Sequence, residues 1–115
     1  MIDDVFCKIA SGELPTEFIY RDENVMVFKD IKPDVPIHWL FVPVKHYDDI
    51  ADIVEQDGEL WNTLFRVVHE VARDQGLEKG YRLIINEGEY GGKLVPHLHL
   101  HLLSGIKLGP KIVTG

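Results

Sequence analysis

The chain has 115 residues, 45% hydrophobic and 27% charged, which suits one soluble globular domain over residues 1–115 with a real core. Nineteen acids against twelve bases leave a net charge of −7, which argues against a general nucleic-acid surface but is compatible with a small phosphorylated ligand in a locally positive pocket. No apolar run approaches a membrane span, the acidic opening Met1-Ile2-Asp3-Asp4 is unlike a secretory signal, and a single cysteine, Cys7, rules out an internal disulfide, so a cytoplasmic protein is expected.

Asp3 or Asp4 can cap a short helix through Val5-Phe6-Cys7-Lys8-Ile9-Ala10, ended by Ser11-Gly12. Pro15 imposes extended chain, and Phe18-Ile19-Tyr20 reads as a strand. Asp22-Glu23-Asn24 is a turn, from which Val25 to Phe28 returns antiparallel. After the loop at Lys32-Pro33-Asp34-Val35-Pro36, the β-formers from His38 to Val44 predict a strand, with a bulge or a sheet edge at Pro43. Leu60, Leu64, Val67, Val68, Val71 and Ala72 recur at three- and four-residue intervals, so one long helix is expected, starting near Gln56 or Asp57 and closed by Gly76. Arg82 to Asn86 predicts a fourth strand. The expected fold is α+β, an antiparallel five-stranded sheet with one short and one long helix packed on it.

The fifth strand carries the most informative residues, in the run His97-Leu98-His99-Leu100-His101-Leu102-Leu103. Side chains alternate across a strand, so the three leucines face a core while the three imidazoles line one open surface. Histidine titrates nearest neutrality, and three together point to proton handling, nucleophilic attack or metal binding. Alternate residues lie about 6.5–7 Å apart along a strand, which puts the outer histidines roughly 13 Å apart. That span suits an extended phosphoryl substrate touching all three better than one three-histidine metal. His69, beside the helical stripe, reads as structural or solvated, and His38, which starts a strand and has no motif partner, as structural.

The run His97-Leu-His99-Leu-His101-Leu-Leu resembles the motif of the histidine triad family of nucleotide hydrolases and transferases. The resemblance extends over nearly the whole chain. Phe6 and Lys8-Ile9 match the opening helix, followed by Gly12-Glu13-Leu14-Pro15. Phe28-Lys-Asp30-Ile31-Lys-Pro33 resembles a ribose-contacting segment, and His38 to Pro43 with Lys45-His46 resembles a strand leading to a fourth histidine. Gly80-Tyr81-Arg82, Asn86-Glu87-Gly88 and Gly91-Gly92 precede the triad at the family's spacing. The branch of purine nucleoside phosphoramidases is the nearest in pattern.

The resemblance implies a homodimer whose two sheets join, and attack by His99 on the α-phosphorus of a nucleoside 5′-phosphoramidate or mixed anhydride. An amine leaves, a nucleotidyl-histidine forms, and water releases the monophosphate. It implies further that His101 contacts the phosphate or leaving group and that His97 and His46 form a supporting network. By the same comparison Asn86 lies on the phosphate side, Asp30 holds the ribose, and Phe6, Phe28 and Ile31 surround the base. Lys93 stands where relatives often have glutamine and could add charge at the phosphate; Leu94 stands in place of a serine or threonine. Several relatives hold zinc through a Cys-x-x-Cys pair completed by two histidines. Here the pair is Asp4 and Cys7, with His46 and His97 as partners. Structural zinc prefers thiolates, so no cofactor is expected, and zinc through Cys7, His46 and His97 is the lesser alternative. The competing functions are a purine nucleotide-binding module, a dinucleoside polyphosphate hydrolase, and a metal-dependent hydrolase built on a His-x-His pair.

Overall fold

A computed structural model describes residues 4–110. Helix α1, Val5–Ser11, starts where the Asp4 carboxylate accepts the Cys7 N–H at 2.9 Å and stops at Gly12, whose φ of 84° a side chain would resist. Asp4 rather than Asp3 is therefore the cap, and Asp3 lies outside the described residues. Five strands follow: β1 (Tyr20–Arg21), β2 (Val25–Lys29), β3 (Ile37–Pro43), β4 (Arg82–Ile84) and β5 (Leu100–Ser104). They form one sheet in the order β1-β2-β3-β5-β4, antiparallel throughout. Between β3 and β4 run helices α2 (Ile50–Gln56) and α3 (Glu59–Asp74).

Several element boundaries differ from the sequence-based expectation, each for a visible reason. Gln56 and Asp57 end α2 instead of opening α3. α2 itself was not anticipated: it buries only Ile53 and has no stripe, although Asp49 caps it by accepting the Asp52 N–H at 2.9 Å. β3 is the central strand and Pro43 is its last residue, paired with Val25 in an unbroken register, so Pro43 marks neither a bulge nor an edge. β5 begins at Leu100, because the Leu98 N–H is taken by the Tyr47 carbonyl at 2.7 Å and the His97 N–H by Val95 at 2.8 Å. β4 stops at Ile84, short of Asn86.

The sheet is buried on both faces. Val25, Val27, Trp39, Phe41, Leu98, Leu100 and Leu102 pack against Ile53 of α2 and the α3 stripe of Leu60, Leu64, Val67, Val68, Val71 and Ala72. On the other face Met26, Phe28, Leu40 and Val42 pack against Phe6 and Ile9 of α1. The alternation of the triad thus sends its leucines to the α3 side and its imidazoles to the α1 side. Among the described residues no helix is long and apolar enough to cross a membrane.

Candidate active site

The α1 face holds the histidines and encloses two of the triad: His97 is fully buried and His99 is 8% exposed, while His101 is partly open. Nδ1 of His99 lies 2.8 Å from the carbonyl oxygen of His97. A carbonyl only accepts, so Nδ1 carries the proton and Nε2 keeps its lone pair. The Phe6 ring meets His99 edge-on at 5.0 Å, and His101 lies 5.0 Å away on the other side. Both contacts fix the ring by packing.

His101 has the opposite tautomer, set through His38. The Asp34 N–H donates to Nδ1 of His38 at 3.1 Å, so the His38 proton sits on Nε2. That N–H points at Nδ1 of His101, 2.9 Å away, with the Asp30 carboxylate at 3.4 Å as a second acceptor. His101 therefore accepts on Nδ1 and presents Nε2–H. His38 is the residue that sequence reasoning missed. It lies diagonally across the β3–β5 ladder, with Leu40 opposite His101 and His38 opposite Leu103, and that register was not readable from the chain.

His97 turns away from its two companions. Nε2 donates to the Pro43 carbonyl at 3.0 Å, and Nδ1 faces both carboxylate oxygens of Asp4 at 3.2 Å and Cys7 Sγ at 3.6 Å. The expectation that one substrate touches all three imidazoles therefore fails. His46 joins the same cluster: Nδ1 lies 3.1 Å from Asp4 and 3.4 Å from Cys7 Sγ, and Nε2 donates to Asp48 at 2.6 Å. His97 and His46 thus share a network, with ring centroids 4.7 Å apart. The two ring nitrogens, the sulfur and the carboxylate converge with all donor atoms within 4.8 Å of one another. A carboxylate, a cysteine sulfur and two imidazoles with their far nitrogens already engaged form a donor set that fits a divalent transition-metal ion once the thiol is deprotonated.

The other expected site residues divide. Phe28 and Ile31 line a largely apolar cleft of about 580 Å³ with Val5, Ile9, Leu14 and Phe18. Ile31 is 93% exposed, free to cover a planar ligand, whereas Phe6 lies behind the cleft against His97 and His99. Asp30, beside that cleft, spends one oxygen on the Lys32 N–H at 2.8 Å. Asn86 donates to the Gly91 carbonyl at 2.7 Å and so pins the glycine loop. Gly91 has to be glycine: a Cβ there would stand 2.3 Å from the Glu87 carbonyl oxygen. Lys93 donates to the Asp48 carbonyl, while Leu94 is 92% exposed and offers the site nothing.

Burial, reinforced by the neighbouring His99 and His38 and opposed by Asp30 and Asp34, pushes His101 down to about 4. Burial also lowers His99, with the Lys93 ammonium acting in the same direction against the His97 carbonyl, Asp30 and Asp4. Below the ordinary imidazole value of 6.5 the unfolded chain takes up a proton at His101 that the folded chain refuses until about 4. Stability from His101 is therefore complete above pH 6.5 and declines as pH falls toward 4. Melting temperatures recorded across that window should fall with acid, and a His101→Gln variant should show a shallower slope. An equal slope would remove His101 as the cause.

A model of the HIT domain matches residues 11–108. A HIT-like protein of Chlamydia muridarum is 40% identical over 105 residues, covering 91% of this chain and 83% of the relative. The structure of a HIT family hydrolase from Clostridium thermocellum superposes with a TM-score of 0.91 at 43% identity, over 98% of this chain and 99% of that one. A histidine triad protein from Clostridium difficile gives a TM-score of 0.90 at 40% identity, over 97% and 98% of the two chains.

Proposed function

This chain belongs to the HIT domain family, and from that premise we propose that it is a hydrolase of nucleoside 5′-phosphoramidates or related nucleotidyl conjugates, working through a nucleotidyl-histidine. The observation that carries this reading is the pair of opposed tautomers. His99 presents a lone pair and His101 presents an N–H, 5.0 Å apart between ring centres, which is what an electrophilic phosphorus with an anionic oxygen requires. Nε2 of His99 attacks the α-phosphorus, the bond to the leaving nitrogen breaks, and its electron pair departs with the amine. His101 is held neutral, so it donates a hydrogen bond to a phosphoryl oxygen and not a proton. The departing amine takes its proton from water or already carries it. Water then attacks the nucleotidyl-histidine, and neutral His99 leaves again.

In this reading the cleft beside Phe28 and Ile31 takes a purine base, and the Asp30 carboxylate accepts from the ribose hydroxyls. Lys93 supplies positive charge near the phosphate in a chain of net charge −7. A divalent ion held by Asp4, Cys7, His46 and His97 would supply a structural cross-link behind the nucleophile and no part of the reaction. A homodimer joined through an edge strand, in the cytoplasm, completes the proposal. Release of monophosphate from adenosine 5′-phosphoramidate by the purified protein tests it. Tight monophosphate binding without release would favour a nucleotide-binding module, for which exposed Leu94, with no hydroxyl to offer, is the supporting feature.

His38 is a positioning residue in this scheme. His38→Leu should lower kcat/KM by roughly 10²-fold through misorientation of His101. His38→Gln keeps an N–H near the place of Nε2 and should recover most of that loss. Equal activity of the two variants would dismiss the tautomer relay.

A further inference from the structure

A second cleft, away from Phe28 and Ile31, is walled by cations. It opens between the Lys79-Gly80 turn, the start of β4 and the segment after β5, with a volume of about 310 Å³. Lys79, Arg82 and Lys107 line it beside Leu103 and Ile106, and among the described residues no carboxylate lines it. In a chain of net charge −7 such a grouping runs against the average field. Among the described residues none of the three cations has a carboxylate at ion-pair distance. The Arg82 guanidinium is the least satisfied of them: Nη2 donates to the Gly109 carbonyl, while Nη1 is sealed from solvent without a hydrogen-bond partner. A charged donor left unpaired in that way costs stability, and an anion in the cleft would offset the cost. The turn that forms one wall is fixed, since Ser104 Oγ donates to the Gly80 carbonyl at 2.8 Å.

Strand register ties this cleft to the triad. Across β4 and β5, Arg82 pairs with Leu103 and Ile84 with His101. Leu83 packs on the α3 side, so Arg82 and Ile84 share the α1 face with His101. Arg82 stands diagonal to His101 from β4 just as His38 does from β3, since Leu103 is the residue paired with both. Diagonal neighbours in a sheet lie about 7–8 Å apart, within reach of a long side chain. The His38–His101 bond of 2.9 Å shows that reach on the β3 side. The strand order β1-β2-β3-β5-β4 therefore sets the cleft beside Phe28 on one side of the reacting histidines and Arg82 on the other.

We propose that this cationic cleft is the leaving-group subsite, and that the substrates are nucleotidyl conjugates whose leaving group carries a negative charge, on a carboxylate or a phosphate. The inference rests on the hydrolase reading above: with a base beside Phe28 and the α-phosphorus at His99, the remaining end of the substrate crosses the sheet toward β4. Arg82 receives the anionic end through its charge and its unpartnered Nη1. Lys79 and Lys107, exposed at the rim, add charge without fixed direction. None of the three moves a proton. Bond breaking at phosphorus stays as described, with the electron pair leaving on the amine nitrogen or the anhydride oxygen.

The test separates binding from turnover, by calorimetry on the full chain carrying His99→Ala. Adenosine 5′-phosphate joined through nitrogen to β-alanine should bind about tenfold tighter or more than its β-alaninamide twin, which lacks only the terminal charge. Adding Arg82→Met, which keeps the aliphatic stem, should remove most of that preference, and Lys107→Met should reduce it about two- to threefold. Adenosine 5′-diphosphate distinguishes the two sources of charge: binding tighter than the β-alanine conjugate assigns a phosphate, and the reverse ranking a carboxylate. With His99 restored, Arg82→Met should lower kcat/KM for the β-alanine conjugate about tenfold more than for the amide. Equal binding of the two conjugates overturns the subsite. So does an Arg82→Met chain, folded by circular dichroism, that keeps the full preference. Charge-selective binding without monophosphate release from any conjugate would overturn the hydrolase reading instead and leave the subsite standing.

Discussion

His99→Ala is expected to lower monophosphate release from adenosine 5′-phosphoramidate by about 10³-fold or more, with binding of the monophosphate product changed far less. The asymmetry follows from geometry. Nδ1 of His99 is committed to the His97 carbonyl, so Nε2 is the one lone pair offered at that position. Alanine removes it and leaves no neighbour to replace it: His101 presents its N–H, and His97 is turned into the Asp4 cluster. On the proposed reading product affinity rests on other groups, the apolar cleft and Asp30, which the substitution leaves in place. A second arm is a brief acid quench of the wild-type reaction, in which the nucleotidyl group should be found on the peptide containing His99. An active alanine variant, or an adduct on another residue, would end the covalent mechanism.

Phe41→Ala should cost about 3–5 kcal/mol of folding stability, against a total of about 5–15 kcal/mol for a domain of this kind. Phe41 is completely buried in the central strand, paired with Val27 on one side and Leu100 on the other. It belongs to the core shared by the sheet and α3, where Leu64 and Val67 are equally inaccessible. Those neighbours are held by regular structure and cannot collapse into the space a benzyl group leaves. The penalty is therefore the lost transfer energy plus a residual cavity. Urea denaturation measures it as a lower midpoint at unchanged slope. A loss under about 1 kcal/mol would mean that α3 does not pack on this strand as described.

The parts of the fold written in local periodicity were legible. Leu98, Leu100 and Leu102 alternate with histidines and are all buried, as a strand with one core face demands. The α3 stripe likewise reads directly from its spacing. α1 was legible from its ends, an aspartate cap and a glycine in the left-handed region. α2 was not, because seven residues with one buried side chain carry no repeat to count. The last strand was predicted three residues too early at its start, since alternation continues back through His97 although the His97 and Leu98 N–H groups bond outside the ladder.

What the sequence determined by itself is composition, the antiparallel α+β class, the two apolar stripes, and three imidazoles on one side of a chain segment. These follow from side-chain spacing along one backbone, a local property. Tertiary structure decided which imidazole does what. The β3–β5 register set His38 against His101, and the return of α1 set Asp4 and Cys7 against His97 and His46. A ring nitrogen's role depends on whether a donor or an acceptor faces it. Those facing groups lie up to 93 residues away along the chain, as Asp4 does from His97, so no local pattern could have assigned them.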